Sequence, residues 1–300
     1  MRDWMLKRLF FLASRLFHLL PPKVLLGLAK AIGALLARLD NKRGKDAMAN
    51  LNFAYGESLS QEEKERIIKR CYVSLVYNVF DFLRLGVMSQ EELLSSLEVE
   101  SEEPIQRVLQ EGRPVIIVTA HYGSWELASL FIGLRYLPLA IVGRLFDDAV
   151  IDEMIFKTRE RFGITLVNKN GAMRELVRAL KAGKNLGIVV DQNTSDQEGI
   201  LVDFFGKRVR HTPSASILAR RFGAYILPAF VKSSEDYTRH TICFDEPFLV
   251  ERSEDMERDI LEATQRQAQA TEKIIREKPD DWFWFHRRFK NQYEEIYRHE

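Results

Sequence analysis

Three hundred residues, 46% of them hydrophobic, suffice for one large domain or two small ones around a real core. That excludes a disordered tail and a disulfide-stapled miniprotein. Lysine plus arginine (44) nearly balances aspartate plus glutamate (43), so a formal charge of +1 gives no polyanion-binding signature.

Residues 1–50 hold ten basic and three acidic residues, about +7, which leaves the rest of the chain net acidic. The basic charge therefore sits in an apolar segment, and nucleic acid is not expected as a partner. Between residues 4 and 39, Lys7, Arg8, Arg15, Lys23, Lys30 and Arg38 interrupt every apolar run before it reaches the roughly 18–20 residues of a bilayer span. Arg8 and Arg15, like Lys23 and Lys30, are seven apart and share a helix face, while Leu, Phe and Val cover the others. Pro21 and Pro22 divide the segment into two helices. The pattern favours helices lying in a membrane interface over core helices with snorkelling cations, and a retained segment over a cleaved signal peptide.

Helices are predicted over 43–53, 61–85, 91–97 and 102–111, with Ser60 and Glu63 forming a capping box. Short β-rich runs follow at 114–120, 139–143, 164–167, 186–191 and 225–231, with helical segments between them. A long helix over 253–278 precedes the aromatic, basic stretch DWFWFHRRFK. The expected fold is α/β: a mixed, mostly parallel sheet flanked by helices in one domain over 41–300, with membrane-associated helices over 1–40.

The run PVIIVTA leads directly into His121, then Tyr122, Gly123, Ser124, Trp125 and Glu126. Open α/β sheets place ligands at such carboxyl ends of strands. Inside one helix, His121 and Glu126 would lie about 140° apart and pair poorly. If His121 closes the strand and Gly123 permits a tight turn, Glu126 enters the first helical turn and its carboxylate reaches back to one ring nitrogen. The other nitrogen is then a base for a hydroxyl attacking an acyl group, and free amides at the helix start could hold an oxyanion. A His and an acid five apart are weak evidence by spacing alone.

Here the chain resembles the bacterial lipid A late acyltransferases, whose pattern is a His, four residues and an acid after an apolar strand, as in AHYGSWE. Further matches are Gly143-Arg144, RERFG at 159–163, DQN at 191–193, VDFFG at 202–206, TPSASILARRFGA at 212–224 and WFWFHRRFK at 282–290. The resemblance implies a glycerolipid acyltransferase-like fold and transfer of a fatty acyl chain from acyl carrier protein to a hydroxyl of an acylated, phosphorylated glucosamine disaccharide. It also implies a peripheral or monotopic location at the cytoplasmic face of the inner membrane, in contact with membrane lipids. It carries over His121 and Glu126 as the catalytic pair and places Arg144, Arg159 and Asp191 near the site. A guanidinium suits a phosphate or an oxyanion, with Arg144 the first choice. Arg159 could equally be an exposed residue paired to a glutamate. Asp191 ends its strand at the same edge as His121, suited to orienting an arginine or hydroxyl, or to capping a turn.

Lys207, Arg208 and Arg210 are candidates for a phosphate or the carrier protein, with solvated loop charges equally plausible; Thr212 and Pro213 mark a helix start. The tail aromatics fit core packing or an interfacial patch. No GxSxG elbow or activated cysteine offers a covalent nucleophile, so direct transfer is expected, without metal or other cofactor. Cys71 and Cys243 suit no zinc site or disulfide frame. The alternatives are an acyltransferase for another lipid, such as a mannosylated phosphoinositide or a lysolipid, with acyl-CoA as donor, or a catalytically silent membrane scaffold.

Overall fold

The computed structural model of the chain describes residues 2–143, 148–168 and 171–298. The amino-terminal layer is helical: α1 (Arg2–Leu19), α2 (Pro22–Leu39), α3 (Asn41–Tyr55), α4 (Gln61–Leu85) and α5 (Gln90–Ser96). Pro21 and Pro22 do break the first segment, since α1 and α2 meet at a bend of 116°. Leu25, Ala29 and Gly33, spaced by four, form the buried face of α2. A Cβ on Gly33 would stand 3.1 Å from the Val73 backbone nitrogen, so α2 lies close against α4. Both halves of the Ser60–Glu63 capping box are present, and α4 has the predicted bounds.

The rest alternates strand and helix: β1 (Leu97–Val99), α6 (Glu103–Gln110), β2 (Val115–Thr119), α7 (Trp125–Arg135), β3 (Leu139–Gly143), α8 (Ala149–Glu160), β4 (Ile164–Asn168), α9 (Ala172–Lys181) and β5 (Asn185–Val189). A hairpin of β6 (Ile200–Phe204) and β7 (Lys207–His211) comes next. It is followed by α10 (Ser214–Phe222), β8 (Tyr225–Ser233), β9 (His240–Phe244), β10 (Phe248–Leu249) and α11 (Met256–Glu277). Among the described residues the main sheet has eight strands in the order β1-β9-β8-β2-β5-β3-β4, with β10 also on β8. Its pairs are parallel except β8–β9 and β8–β10. This is the mixed, mostly parallel sheet flanked by helices that the sequence led us to expect.

Each of the five strands expected from sequence is present within two residues of its expected ends, while β1, β9, β10 and the hairpin were not foreseen. The hairpin turns on Phe205 and Gly206, both with positive φ (52° and 68°), as a two-residue loop of mirror-image type requires. The start of α10 lies one residue further on than expected: Pro213 is the N-cap, and Thr212 Oγ1 accepts from the Ser214 amide at 3.4 Å.

The tail aromatics are core residues. Trp282, Trp284, Phe285 and Phe289 are buried with Tyr72, Phe204 and Ile275, so an interfacial patch is excluded for these four. Arg288 is buried too, donating to the Arg210 carbonyl and to His211 Nδ1 (3.1 Å).

Candidate active site

Strands β2 and β5 are parallel neighbours in a constant register: Ile116 faces Leu186, and Thr119 faces Val189. Continuing that register two residues beyond the strands sets His121 beside Asp191, both at carboxyl ends. The Val190 amide donates to the Thr119 carbonyl at 2.9 Å, which carries the pairing most of the way. His121 Nδ1 then lies 2.9 Å from Asp191 Oδ1, and the His121 amide donates to Asp191 Oδ2, also at 2.9 Å. A third donor, the Trp282 indole N–H, reaches the same Oδ2 at 2.8 Å.

The expected brace for the imidazole is therefore corrected. Glu126 sits in the first turn of α7, but its carboxylate is taken by Arg159 from the end of α8: Nε to Oε1 at 2.6 Å and Nη2 to Oε2 at 3.1 Å. The ring nitrogen assigned to it is held by Asp191. The physical reason is that sheet register delivers Asp191 alongside His121, while helix α7 carries Glu126 toward α8. Arg159 accordingly takes the glutamate-paired reading, although that glutamate is Glu126 itself. Arg144 falls outside the described residues. Arg208 pairs with Asp203 across the hairpin at 3.7 Å, and Arg210 is held by Asp196 (3.1 Å) and the Gly199 carbonyl (2.8 Å). The contacts of both arginines lie within the hairpin and the loop before it.

Asp191 is 4% exposed at its side chain and His121 24%, so the acid is sealed and the base is not. Burial pushes the Asp191 pKa up, but the His121 charge and three hydrogen bonds overcome it and hold the carboxyl well below the usual carboxylate range. For His121 burial works downward, yet the charge and hydrogen bond of Asp191 outweigh it and raise the pKa above the ordinary 6.5. With Nδ1–H donated to Asp191, Nε2 carries the lone pair. Gln192 Nε2 lies 3.4 Å from it. The Trp125 ring meets the imidazole edge-on at 5.2 Å.

A cavity of about 1650 Å³ opens here, lined by His121, Gln192, Asn193, Ile188 of β5 and the starts of α9 and α10. Across the sheet, a small enclosed space beneath Trp125 is walled by Ile117, Ala128, Ile141 and Gly187.

The turn joining β2 to α7 is gripped from behind. Gly123 has φ +55°, and a Cβ there would fall 2.0 Å from the Val231 carbonyl oxygen, so only glycine fits. Its amide donates to the Asp281 carbonyl at 2.8 Å, and its carbonyl accepts from Asn78 Nδ2 at 3.1 Å. Ser124 Oγ donates to Asp81 Oδ2 at 3.2 Å. Since Ser124 offers α7 no side-chain cap, the amides at that helix start are not claimed by one. Trp282, Asn78 and Asp81 were not singled out from sequence as site residues. Asp81 carried a signal nonetheless: an acid on a helix face otherwise built from Tyr77, Phe80 and Leu85.

A carboxylate-braced imidazole thus stands at the rim of a parallel sheet, open to a large cavity, an arrangement chemically able to accept a proton from a hydroxyl. Residues 2–291 match the bacterial lipid A biosynthesis acyltransferase family, and the chain belongs to it. It is 25% identical to the lipid A biosynthesis palmitoleoyltransferase of Escherichia coli over 274 residues, covering 91% of this chain and 87% of that one. It is 22% identical to the lauroyltransferase of the same organism, over 92% and 89% of the two chains. A shorter match, 24% identical over 48% of this chain and 49% of the other, is to the phosphatidylinositol mannoside acyltransferase of Mycolicibacterium smegmatis.

Proposed function

We propose that this acyltransferase moves a fatty acyl chain from acyl carrier protein to a hydroxyl of an acylated, phosphorylated glucosamine disaccharide. The observation that carries the reading is the Asp191–His121 pair, with the ring opening on a cavity large enough for a lipid headgroup. His121 Nε2 takes the proton of the acceptor hydroxyl as its oxygen attacks the thioester carbonyl. The tetrahedral intermediate collapses with cleavage of the C–S bond, and the imidazolium returns the proton to the leaving thiolate. Asp191 fixes the tautomer and stabilises the imidazolium between these steps. Amides at the start of α7 supply dipoles for the oxyanion. Glu126 acts through Arg159, whose remaining N–H groups bring positive charge to that helix start.

Membrane attachment belongs to the same proposal. No single described helix is long and apolar enough to cross a bilayer. Trp4, Leu9, Leu12, Leu16 and Leu19 of α1 and Leu28, Leu35 and Leu39 of α2 are exposed, interleaved with cations, as helices lying at the cytoplasmic face of an inner membrane require.

The test is direct. Purified protein is incubated with acyl carrier proteins of several chain lengths and a tetra-acylated acceptor, and the product mass is read. One acyl increment that disappears in His121→Ala supports the assignment. An increment only with acyl-CoA, or only on a mannosylated phosphoinositide, replaces it with the second reading favoured by the mycobacterial relative. Binding without turnover would make the chain a scaffold, and free thiol release without acceptor a thioesterase.

A further inference from the structure

Asn193 lines two cavities: the one containing His121 and a second, of about 610 Å³, walled by the start of α3 and residues 285–290. The second cavity is basic. Its two acids are engaged by arginines, Asp40 with Arg43 at 3.0 Å and Asp46 with Arg287 at 2.8 Å. Lys42 and Lys290 line it, are exposed, and make no ion pair among the described residues. The start of α3 also lies at this cavity, its Arg43 amide capped by the Asp40 carboxylate at 3.1 Å. Asn193 and His286 also line it, but Asn193 Oδ1 and His286 Nδ1, unpartnered among the described residues, are sealed from the cavity.

The lysines need an anion. A phosphate monoester gathers its negative charge and acceptor oxygens into one compact group that enters a recess, whereas an acidic protein helix spreads its carboxylates along a convex surface.

We propose that this second cavity binds the phosphate monoester of a sugar headgroup, whose acceptor hydroxyl reaches His121 past Asn193. The proposal rests on the acyltransferase reading and locates one end of its acceptor.

The test uses the full-length chain and the double variant Lys42→Gln/Lys290→Gln, whose replaced side chains are exposed. With the donor saturating, the variant is expected to raise KM for a phosphorylated acceptor about tenfold, the loss of one or two charge-assisted hydrogen bonds, with kcat little changed. Wild-type protein with an enzymatically dephosphorylated acceptor should show the same high KM, now insensitive to the substitutions. An unchanged acceptor KM overturns the proposal, as does a rise confined to KM for the carrier protein, which would make the cavity a docking site for the donor. In a second arm, phosphorus NMR line broadening compares glucose 1-phosphate with inorganic phosphate. Binding of the sugar phosphate that weakens in the variant supports the site, and equal binding of inorganic phosphate reduces it to a free-phosphate site. If the protein acylates no phosphorylated acceptor, the proposed acceptor fails, and the NMR arm still decides the cavity.

Discussion

Two acid–base pairs flank one short turn, and they are built differently. Asp191 is nearly sealed, accepts three hydrogen bonds, and meets His121 because two parallel strands run in fixed register. Glu126 and Arg159 are 25% and 19% exposed and are joined by one fork-like ion pair between two helices. In the first pair burial strengthens the interaction and the sheet holds its geometry. In the second, both partners are partly exposed and water screens part of the charge. The sheet-borne pair is the one suited to proton transfer.

Substitutions should separate the pairs. His121→Ala is expected to lower kcat/KM about 10³–10⁴-fold by removing the base, with melting temperature nearly unchanged. Asp191→Asn should lower kcat about 10³-fold, because the amide neither fixes the tautomer nor stabilises the imidazolium. Its pH profile should move as well. The base must be neutral, so wild-type activity falls as pH drops through the His121 pKa, which Asp191 holds above 6.5. With that charge gone, burial acts unopposed and the acidic limb moves to lower pH. Glu126→Gln should cost about 10–100-fold in kcat, as loss of one charged partner, and leave the limb in place. If Glu126→Gln instead shifted the limb and Asp191→Asn did not, the roles assigned to the two acids would be exchanged.

The same contrast explains what could be read beforehand. His121 was legible because a β-rich run ended on it, and the long helix over 61–85 was legible from its capping box and apolar face. Asp191 was visible as a residue at the same edge, but its pairing with His121 spans 70 positions and depends on β2 and β5 being adjacent, which strand patterns do not specify. The nearby Glu126 is the partner that the family pattern names, because a motif records neighbours along the chain and not those across a sheet. The hairpin was hidden for a local reason: its turn uses Phe205-Gly206, where Asn-Gly or Asp-Gly would have announced it. From sequence Trp282 reads as packing or membrane contact, and its N–H on Asp191 is a tertiary fact. Trp282→Phe keeps most of the packing and removes that donor, so about a tenfold loss in kcat/KM is expected, measured beside Asp191→Asn to see whether the effects overlap. Fully additive losses would mean that the indole acts elsewhere.

A third carboxylate, Asp81, sharpens the comparison because it is as buried as Asp191 and shifted the other way. It faces Arg84 at 3.3 Å, the Ser124 hydroxyl at 3.2 Å and His240 at 3.9 Å. Burial dominates, the arginine and hydroxyl offset only part of it, and the Asp81 pKa is raised to about 6. His240, lowered to about 4 by burial and by nearby Arg84 and Lys278, is neutral near pH 7 and offers little compensation. A carboxyl raised on folding contributes stability that is fully present below its unfolded value near 3.8 and is lost as pH rises through about 6. Relative to Asp81→Asn, which keeps a hydrogen-bonding group against Ser124 without the charge, the wild type should therefore lose about 2 kcal/mol between pH 4 and pH 8. Urea unfolding of both proteins at the two pH values measures this, and a constant difference would mean that Asp81 is as well compensated as Asp191. The variant's activity at pH 8 should stay within a few-fold of wild type, because Asp81 holds the turn through Ser124 and touches neither His121 nor Asp191 by any described hydrogen bond.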